Sequence, residues 1–352
     1  MTHSPLSTRE APPAPTSIPE ADPGLLPESA GRSGSRRAGD SIFRGISVSS
    51  ATLISIIIAA IGFFLVWRAV PALINNAEGI GGFFTYADAW NTKDTSAMFF
   101  GIPNLFAVTV LVSLVALIIA MPVALGVAIF LASYAPSRLV KPLGNVVDML
   151  AAVPSIVYGL WAWQVLGPAL KPVYEFLHAH LSWIPLFATY SNSPSFDTGR
   201  NILTGGIVLA VMIVPVIAAT TREVFVQTPR GQIEAALALG ATRWEVVRMT
   251  VLPFGKSAFI AGSMLGLGRA LGETMALYMV VSPSSAFRNS LFDGGTTFAT
   301  AIANAAPEFN DDLRAGAYIA AGLVLFALTF VVNAIARTVV AGSSTKKGRK
   351  KK

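Results

Sequence analysis

The chain has 352 residues, 53% of them hydrophobic and 13% charged, with a formal net charge of +7. A soluble globular domain carries about twice that charged fraction, and the mean hydropathy here is +0.60, so composition points to an all-α membrane protein with several spans. Cysteine is absent, which excludes disulfides, thiolate metal sites and thiol catalysis and is silent on redox compartment.

Residues 1–41 are rich in Pro, Ser, Gly, Ala and charge and hold few large apolar side chains. That composition predicts a disordered cytoplasmic extension. Six apolar blocks follow, at residues 42–70, 103–134, 147–170, 202–221, 254–281 and 313–340, within a membrane domain of residues 42–340. Each can cross a bilayer as a helix, which takes about 20 residues. No small-residue cleavage site follows the first block, so it reads as a span and not a secretory signal.

The loops set an orientation. Arg32, Arg36, Arg37 and Arg44 precede the first block, and Arg138 and Lys141 lie between the second and third. Arg222, Arg230, Arg243 and Arg248 lie between the fourth and fifth, and the basic tail, residues 341–352, follows the sixth. Positive loops face the cytoplasm, so both termini are expected inside. The tail suits contact with anionic headgroups, or a topology signal, and not nucleic acid. The intervening loops are acidic or mixed and are expected outside. One is crowded with Phe83, Phe84, Tyr86, Trp90, Phe99 and Phe100, read either as membrane-edge anchors or as a docking surface. Another carries His178 and His180, whose scatter predicts loop polarity and no metal site.

Pro122, Pro154 and Pro215 fall inside spans. Neighbouring helices can re-satisfy the carbonyls they free, so they are expected to kink and shape the packing, with a hinge role as the alternative. On the fifth block, Gly262, Gly266, Gly268 and Gly272 repeat at four-residue spacing, which predicts close helix contact. The same block contains Arg269 and Glu273. A charge at that depth costs at least about 2.5–3.5 kcal/mol on insertion scales, so this pair marks a functional centre. Read as one helix, the block puts them at i and i+4 on one face, with Arg269 roughly 24 Å past Pro253 and near mid-bilayer. Arginine before glutamate is the less favourable order for an intrahelical pair. A structural ion pair is one reading; the other has Arg269 offering transient positive potential to a passing anion and Glu273 limiting it.

Between the fourth and fifth blocks, residues 228–253 differ from the other loops. Pro229 suits a helix start, the run from Glu234 to Leu239 has high helix propensity and little bulk, Gly240 turns the chain, and a helical pattern resumes at Trp244. The result is a small helix–turn–helix with a smooth face that can fit a groove on a soluble partner. Its residues Glu234, Ala235, Ala236, Gly240, Leu252 and Pro253 resemble the EAA loop of the permease subunits of bacterial ABC importers. The family often has isoleucine where this chain has Thr250. The stretches 238–244, 268–276 and 152–160 are similar to the C-type permeases of the phosphate-specific importers, and the similarity covers roughly residues 103–340. Met275 and Ala276 follow the Gly-Glu-Thr turn, where the A-type subunit usually has Ala-Pro.

The resemblance implies a six-span permease that provides half of a phosphate translocation pathway by alternating access. It implies a homologous A-type permease, two ATP-binding subunits that dock on the EAA loop, and an external phosphate-binding protein. ATP and Mg would belong to the partner ATPase, because this chain lacks a GxxxxGK[ST] loop and is not expected to be an enzyme. The expected location is a bacterial plasma membrane. Sulfate or molybdate in place of phosphate stays open on residue chemistry alone, since guanidinium binds any tetrahedral oxyanion. A different class, a secondary anion transporter, would show an internal repeat, and none is evident; an intramembrane hydrolase would need a buried nucleophile and base.

Overall fold

A computed structural model describes residues 38–189, 193–284 and 289–348, with side chains for residues 42–338 of these. The expected extension at residues 1–41 and the last residues of the basic tail therefore lie largely outside the described residues. The chain divides after Ile58 into two units. The first unit's described part is the opening of helix α1 (Ala38–Ile74), a run of exposed apolar side chains such as Leu53, Ile54 and Ile57. The remaining elements belong to the second unit.

In chain order these are α2 (Gly79–Thr85), α3 (Pro103–Tyr134), α4 (Ser137–Ala152), α5 (Ser155–Leu181), α6 (Pro194–Thr198) and α7 (Ile202–Val226). Then come α8 (Arg230–Ala238), α9 (Arg243–Leu271), α10 (Met275–Val280), α11 (Phe298–Ala305) and α12 (Asp312–Gly348). Five of the described helices are long and apolar enough to cross a bilayer, or six when α4 and α5 are taken as one broken span.

The core is an interlock of α3 and α7. Along α3, Val108, Val112, Ala116, Ala120, Ala124 and Ala128 recur every fourth residue, each at most 1% exposed. Along α7, Gly205, Leu209, Ile213, Ile217, Thr221 and Phe225 do the same and are all buried. Ridges of i, i+4 residues on both helices interdigitate. Size is complementary along the seam: alanines on α3 accompany the large residues of α7, and Gly205 and Gly206 on α7 lie against Val112 and Val115 of α3. Lipid is as apolar as leucine, so close packing of this kind, and not exclusion from water, holds bilayer helices together.

The third and fifth apolar blocks are not the continuous helices expected. The third breaks at Val153-Pro154, and α4 and α5 meet at 88°. Proline disfavours the helical region for its predecessor, and Val153 is extended at φ −64°, ψ 131°. The Tyr158 hydroxyl donates to the Leu150 carbonyl at 2.8 Å, taking one of the acceptors the broken end leaves open. Pro122 and Pro215, by contrast, lie within unbroken helices. The fifth block breaks at Gly272–Thr274, between α9 and α10.

The aromatic loop is mostly folded in and is not an exposed belt. Phe83 and Phe100 are buried and stack edge to face with centroids 5.8 Å apart. Trp90 donates to the Gly101 carbonyl at 2.7 Å and its ring lies 4.9 Å from Tyr318 of α12. These side chains join Met98, Ile102, Leu105, Phe298 and alanines of α1 and α12 in a second cluster. Phe84 alone of the six is strongly exposed. Alternating aromatic and polar residues look alike whether a loop is solvated or folded under itself, and only the packing tells them apart. His178 and His180 each place Nδ1 against a backbone carbonyl, of Phe187 at 3.1 Å and Phe176 at 2.9 Å.

The interlock gives a direct test. A methyl group on Gly206 would sit 2.5 Å from Val115 Cγ1 and 2.8 Å from its Cβ. Valine is stiff at χ1, so Gly206→Ala is expected to destabilise by about 1–3 kcal/mol through overpacking. Gly126→Ala, with nothing within 4 Å, is the control and should leave the melting temperature in detergent unchanged. Equal melting temperatures for the two variants would show that the seam is looser than described.

Candidate functional site

Two regions carry the chemistry singled out above: the break at Gly272–Thr274 and the small helix–turn–helix around α8.

At the break, Arg269 lies in the last turn of α9 and is exposed, while Glu273 lies past the helix end and is half-buried. The two are therefore not neighbours on one helix face, and among the described residues neither takes part in an ion pair. Each charge instead belongs to the helix terminus that suits it. Arg269 sits at a helix C-terminus, where unpaired carbonyls favour a cation. Glu273 precedes a helix N-terminus, and its Oε1 accepts from the Ala276 N–H at 3.2 Å, satisfying one of the open donors there. The residue order that is poor for a continuous helix is the right order for a helix cut between the two charges. Gly272 closes α9 at φ −97°, ψ 1°, and the Glu273 N–H donates to the Ala270 carbonyl at 3.3 Å.

The two broken spans meet. Gly159 of α5 packs on α10, where an added Cβ would lie 3.0 Å from Ala276 Cα and 3.2 Å from Met279 Cβ. Tyr158 beside it is within electrostatic reach of Arg269. Neither Tyr158 nor Gly159 was singled out from sequence as part of this site, although the Pro154 break that positions them was visible there.

The four glycines of the fifth block divide by direction. Gly262 faces Thr220 and Gly266 faces Ile213 and Ile217, all on α7, so these two allow close helix approach. Gly268 has only Asn333 Oδ1 nearby, at 3.9 Å, and Gly272 only its own helix backbone. Among the described residues Gly268 thus meets only Asn333 of α12, at ordinary contact distance, and Gly272 meets no neighbouring helix; with the exposed Arg269 they leave a small-residue face.

The second region folds as a helix, a turn and a helix. The turn is a paired C-terminal cap: the Gly240 N–H donates to the Leu237 carbonyl at 2.9 Å and the Ala241 N–H to the Ala236 carbonyl at 3.2 Å. It requires the left-handed conformation at Gly240, which has φ +82°. Thr242 and Glu245 then form a reciprocal cap on α9, with the Thr242 N–H donating to Glu245 Oε2 at 2.8 Å. Glu234, Ala235 and Gly240 are exposed, and Ala236 is buried. A groove of about 460 Å³ runs between Ala235, Leu239, Glu245, Met249 and Thr250.

Leu239 is 89% exposed, and Trp244 and Met249 stand more than half exposed beside it. This apolar rim was missed from sequence; an apolar residue next to a glycine turn is the signal that could have found it. Thr250, the departure from the family pattern, lines the groove and donates back to the Val246 carbonyl. It lies in a wide π-type turn, Val247–Val251, inside α9. The helix leaving the loop is thus the same helix that carries Arg269.

Residues 124–343 match the family described as binding-protein-dependent transport system inner membrane component. The chain is 52% identical over 307 residues to the phosphate transport system permease protein PstC 2 of Mycobacterium tuberculosis, spanning 87% of this chain and 93% of that protein. It is 37% identical over 329 residues to the phosphate transport system permease protein PstC of Xylella fastidiosa, spanning 92% and 98%. Among solved structures, an inward-facing MetNI methionine ABC transporter aligns with 69% of this chain and 95% of its own, at 16% identity and a TM-score of 0.48.

The geometry of the break makes its own prediction. Exchanging Arg269 and Glu273 puts each charge at the wrong helix end, costing about 0.3–1 kcal/mol at each. The exchanged variant is therefore expected to melt below both Arg269→Gln and Glu273→Gln. A melting temperature equal to the parent's would mean that the two groups pair with each other and not with the helix ends.

Proposed function

The chain belongs to the family of binding-protein-dependent transport system inner membrane components, multi-pass permeases that work with an ATPase and a binding protein, and from that premise we propose that it is the C-type permease subunit of an ATP-driven importer of inorganic phosphate. The observation that carries this reading is the near full-length match to phosphate transport permeases. The oppositely charged ends of the broken fifth span support it.

In this reading the chain lies in a bacterial plasma membrane with both termini and α8 on the cytoplasmic side, as the basic loops indicate. It pairs with an A-type permease, and the open face of Gly268, Arg269 and Gly272 turns toward the pathway between them. Two ATP-binding subunits hold ATP and Mg²⁺ and receive α8 and the Leu239 rim. An external phosphate-binding protein delivers the anion. This chain is the passive member and hydrolyses nothing.

The steps follow from the geometry. Closure of the ATPase pair moves α8 and, through the Thr242–Glu245 cap, the start of α9. Because α9 runs unbroken from Arg243 to Leu271, that motion arrives at Arg269. Arg269 supplies positive potential where the backbone is interrupted and no helix bond has to break. Glu273 is held by the Ala276 N–H, so its charge stays near the passing anion without neutralising the guanidinium outright. Weak, shared binding of this kind permits release. The alternation of states is a rigid-body change around the packed seam.

The test uses the assembled complex in proteoliposomes with phosphate-loaded binding protein. Arg269→Gln should abolish uptake while the subunits still co-purify and bind ATP. Sulfate uptake in place of phosphate by the parent complex would reassign the substrate. Uptake driven by a proton gradient in this chain alone would reassign the class to a secondary transporter.

The loop is tested separately. Gly240→Val forces a β-branched residue to φ +82°, and Ala235→Glu puts bulk and charge on the smooth face. Both should lose the ATPase on co-purification while membrane insertion is unchanged. Retention of the ATPase by both would remove the loop from the interface.

A further inference from the structure

Arg200 is a cation without a carboxylate partner among the described residues. It sits between α6 and α7, next to the Asn201 cap of α7. Its Nε donates to the Met279 carbonyl at 3.2 Å, and its guanidinium lies 5.5 Å from the centre of the Trp163 ring. Both contacts hold the group in place and leave its charge uncompensated. It lines a cavity of about 220 Å³ together with Tyr278, Thr296, Thr300 and Asn304. Tyr278 donates its hydroxyl to Asn304 Oδ1 at 3.2 Å, which fixes the Asn304 amide with its nitrogen as the donor end. The other walls are Leu277, Val281, Pro283 and Gly295, and no carboxylate lines this cavity among the described residues. A neighbouring cavity of about 380 Å³ shares Pro283, Thr296 and Asn304 with it. The arginine of that second cavity, Arg314, is already paired with Glu308, so among the described residues lining the two cavities Arg200 is the cation without a carboxylate.

Met279 belongs to α10, one short helix beyond Glu273. Along the broken span the charged groups therefore follow in the order Arg269, Glu273, Arg200. A tetrahedral oxyanion has the charge and acceptor geometry that a guanidinium and an amide donor recognise. We propose that the Arg200 cavity is a second oxyanion station, occupied before Arg269 on the way in. This rests on the orientation and substrate class argued under Proposed function. Two cationic stops separated by a carboxylate let an anion advance without being trapped at either.

The absence of native cysteine makes the test clean for this chain. Thr296→Cys is introduced into the assembled complex in nanodiscs and reacted with a small anionic thiosulfonate, and modification of this chain is read by mass spectrometry. Inorganic phosphate is expected to slow the reaction, and Arg200→Gln to raise the half-protecting phosphate concentration about tenfold or more, the effect of losing a charge-assisted contact. Trp163→Leu removes the ring beneath the guanidinium and keeps the charge, so protection should persist. Equal protection by chloride at matched ionic strength would overturn the proposal, as would protection unchanged by Arg200→Gln. A loss in Trp163→Leu as large as in Arg200→Gln would show that Arg200 acts through packing, and would also overturn it. Phosphate uptake by the unmodified complex is measured alongside: if uptake fails, the substrate reading falls, whereas uptake without Arg200-dependent protection removes the station alone.

Discussion

The fold depends on the seam between α3 and α7. In a bilayer the apolar surface has no water to escape, so what distinguishes one helix arrangement from another is how closely the backbones fit. Here the fit comes from complementary sizes at four-residue spacing, alanines of α3 sharing one buried cluster with Leu209, Ile213 and Ile217 of α7, and glycines of α7 lying against valines near one end. The glycines of α9 extend the pattern, since Gly262 and Gly266 seat on the same α7 residues. A rigid three-helix unit results, and the irregular parts are built against it.

Those irregular parts are two interrupted spans that touch. Backbone groups freed by a break need partners to replace the lost helix bonds, and each break has one. Tyr158 takes a carbonyl at one break and Glu273 an N–H at the other. The charges at the second break are arranged by the helix dipoles and not by mutual attraction. Among the described residues that leaves Arg269 with no carboxylate to hold it and with small residues around it. The combination suits a group that must meet a transient anion in place of a permanent partner.

Much of this was legible in the sequence, and the failures have physical causes. Span number, the special character of residues 228–253 and the turn at Gly240 follow from composition and from glycine's freedom at positive φ. The pair Arg269 and Glu273 stood out because charge is expensive in lipid. The breaks did not, because a hydropathy run does not record whether the backbone stays helical beneath it. Pro154 interrupts its helix while Pro122 and Pro215 do not, and only the Tyr158–Leu150 contact and the sharp bend mark the difference. The aromatic loop was misplaced for a related reason: Phe83 and Phe100 fold under the loop against helices distant in sequence. Gly268 and Gly272 share the spacing of Gly262 and Gly266 but are offset from them by two residues, about 200° around the helix, so the sequence already placed the two pairs on opposite faces.

The continuity of α9 has a mechanical consequence. Val247 and Val251 cluster with Phe225 and Ala128, Gly255 accepts the Phe225 ring, and Gly262 and Gly266 seat on Thr220, Ile217 and Ile213. The rod is therefore clamped along the seam from Val247 to Gly266, about 28 Å. Arg269 lies only about 4.5 Å of helix past the last clamp. A push at the loop end therefore carries the three-helix unit as a body, and the guanidinium travels with it. The π-type turn at Val247–Val251 lies at the driven end only, so slack is taken up there and the segment bearing Arg269 moves as one piece.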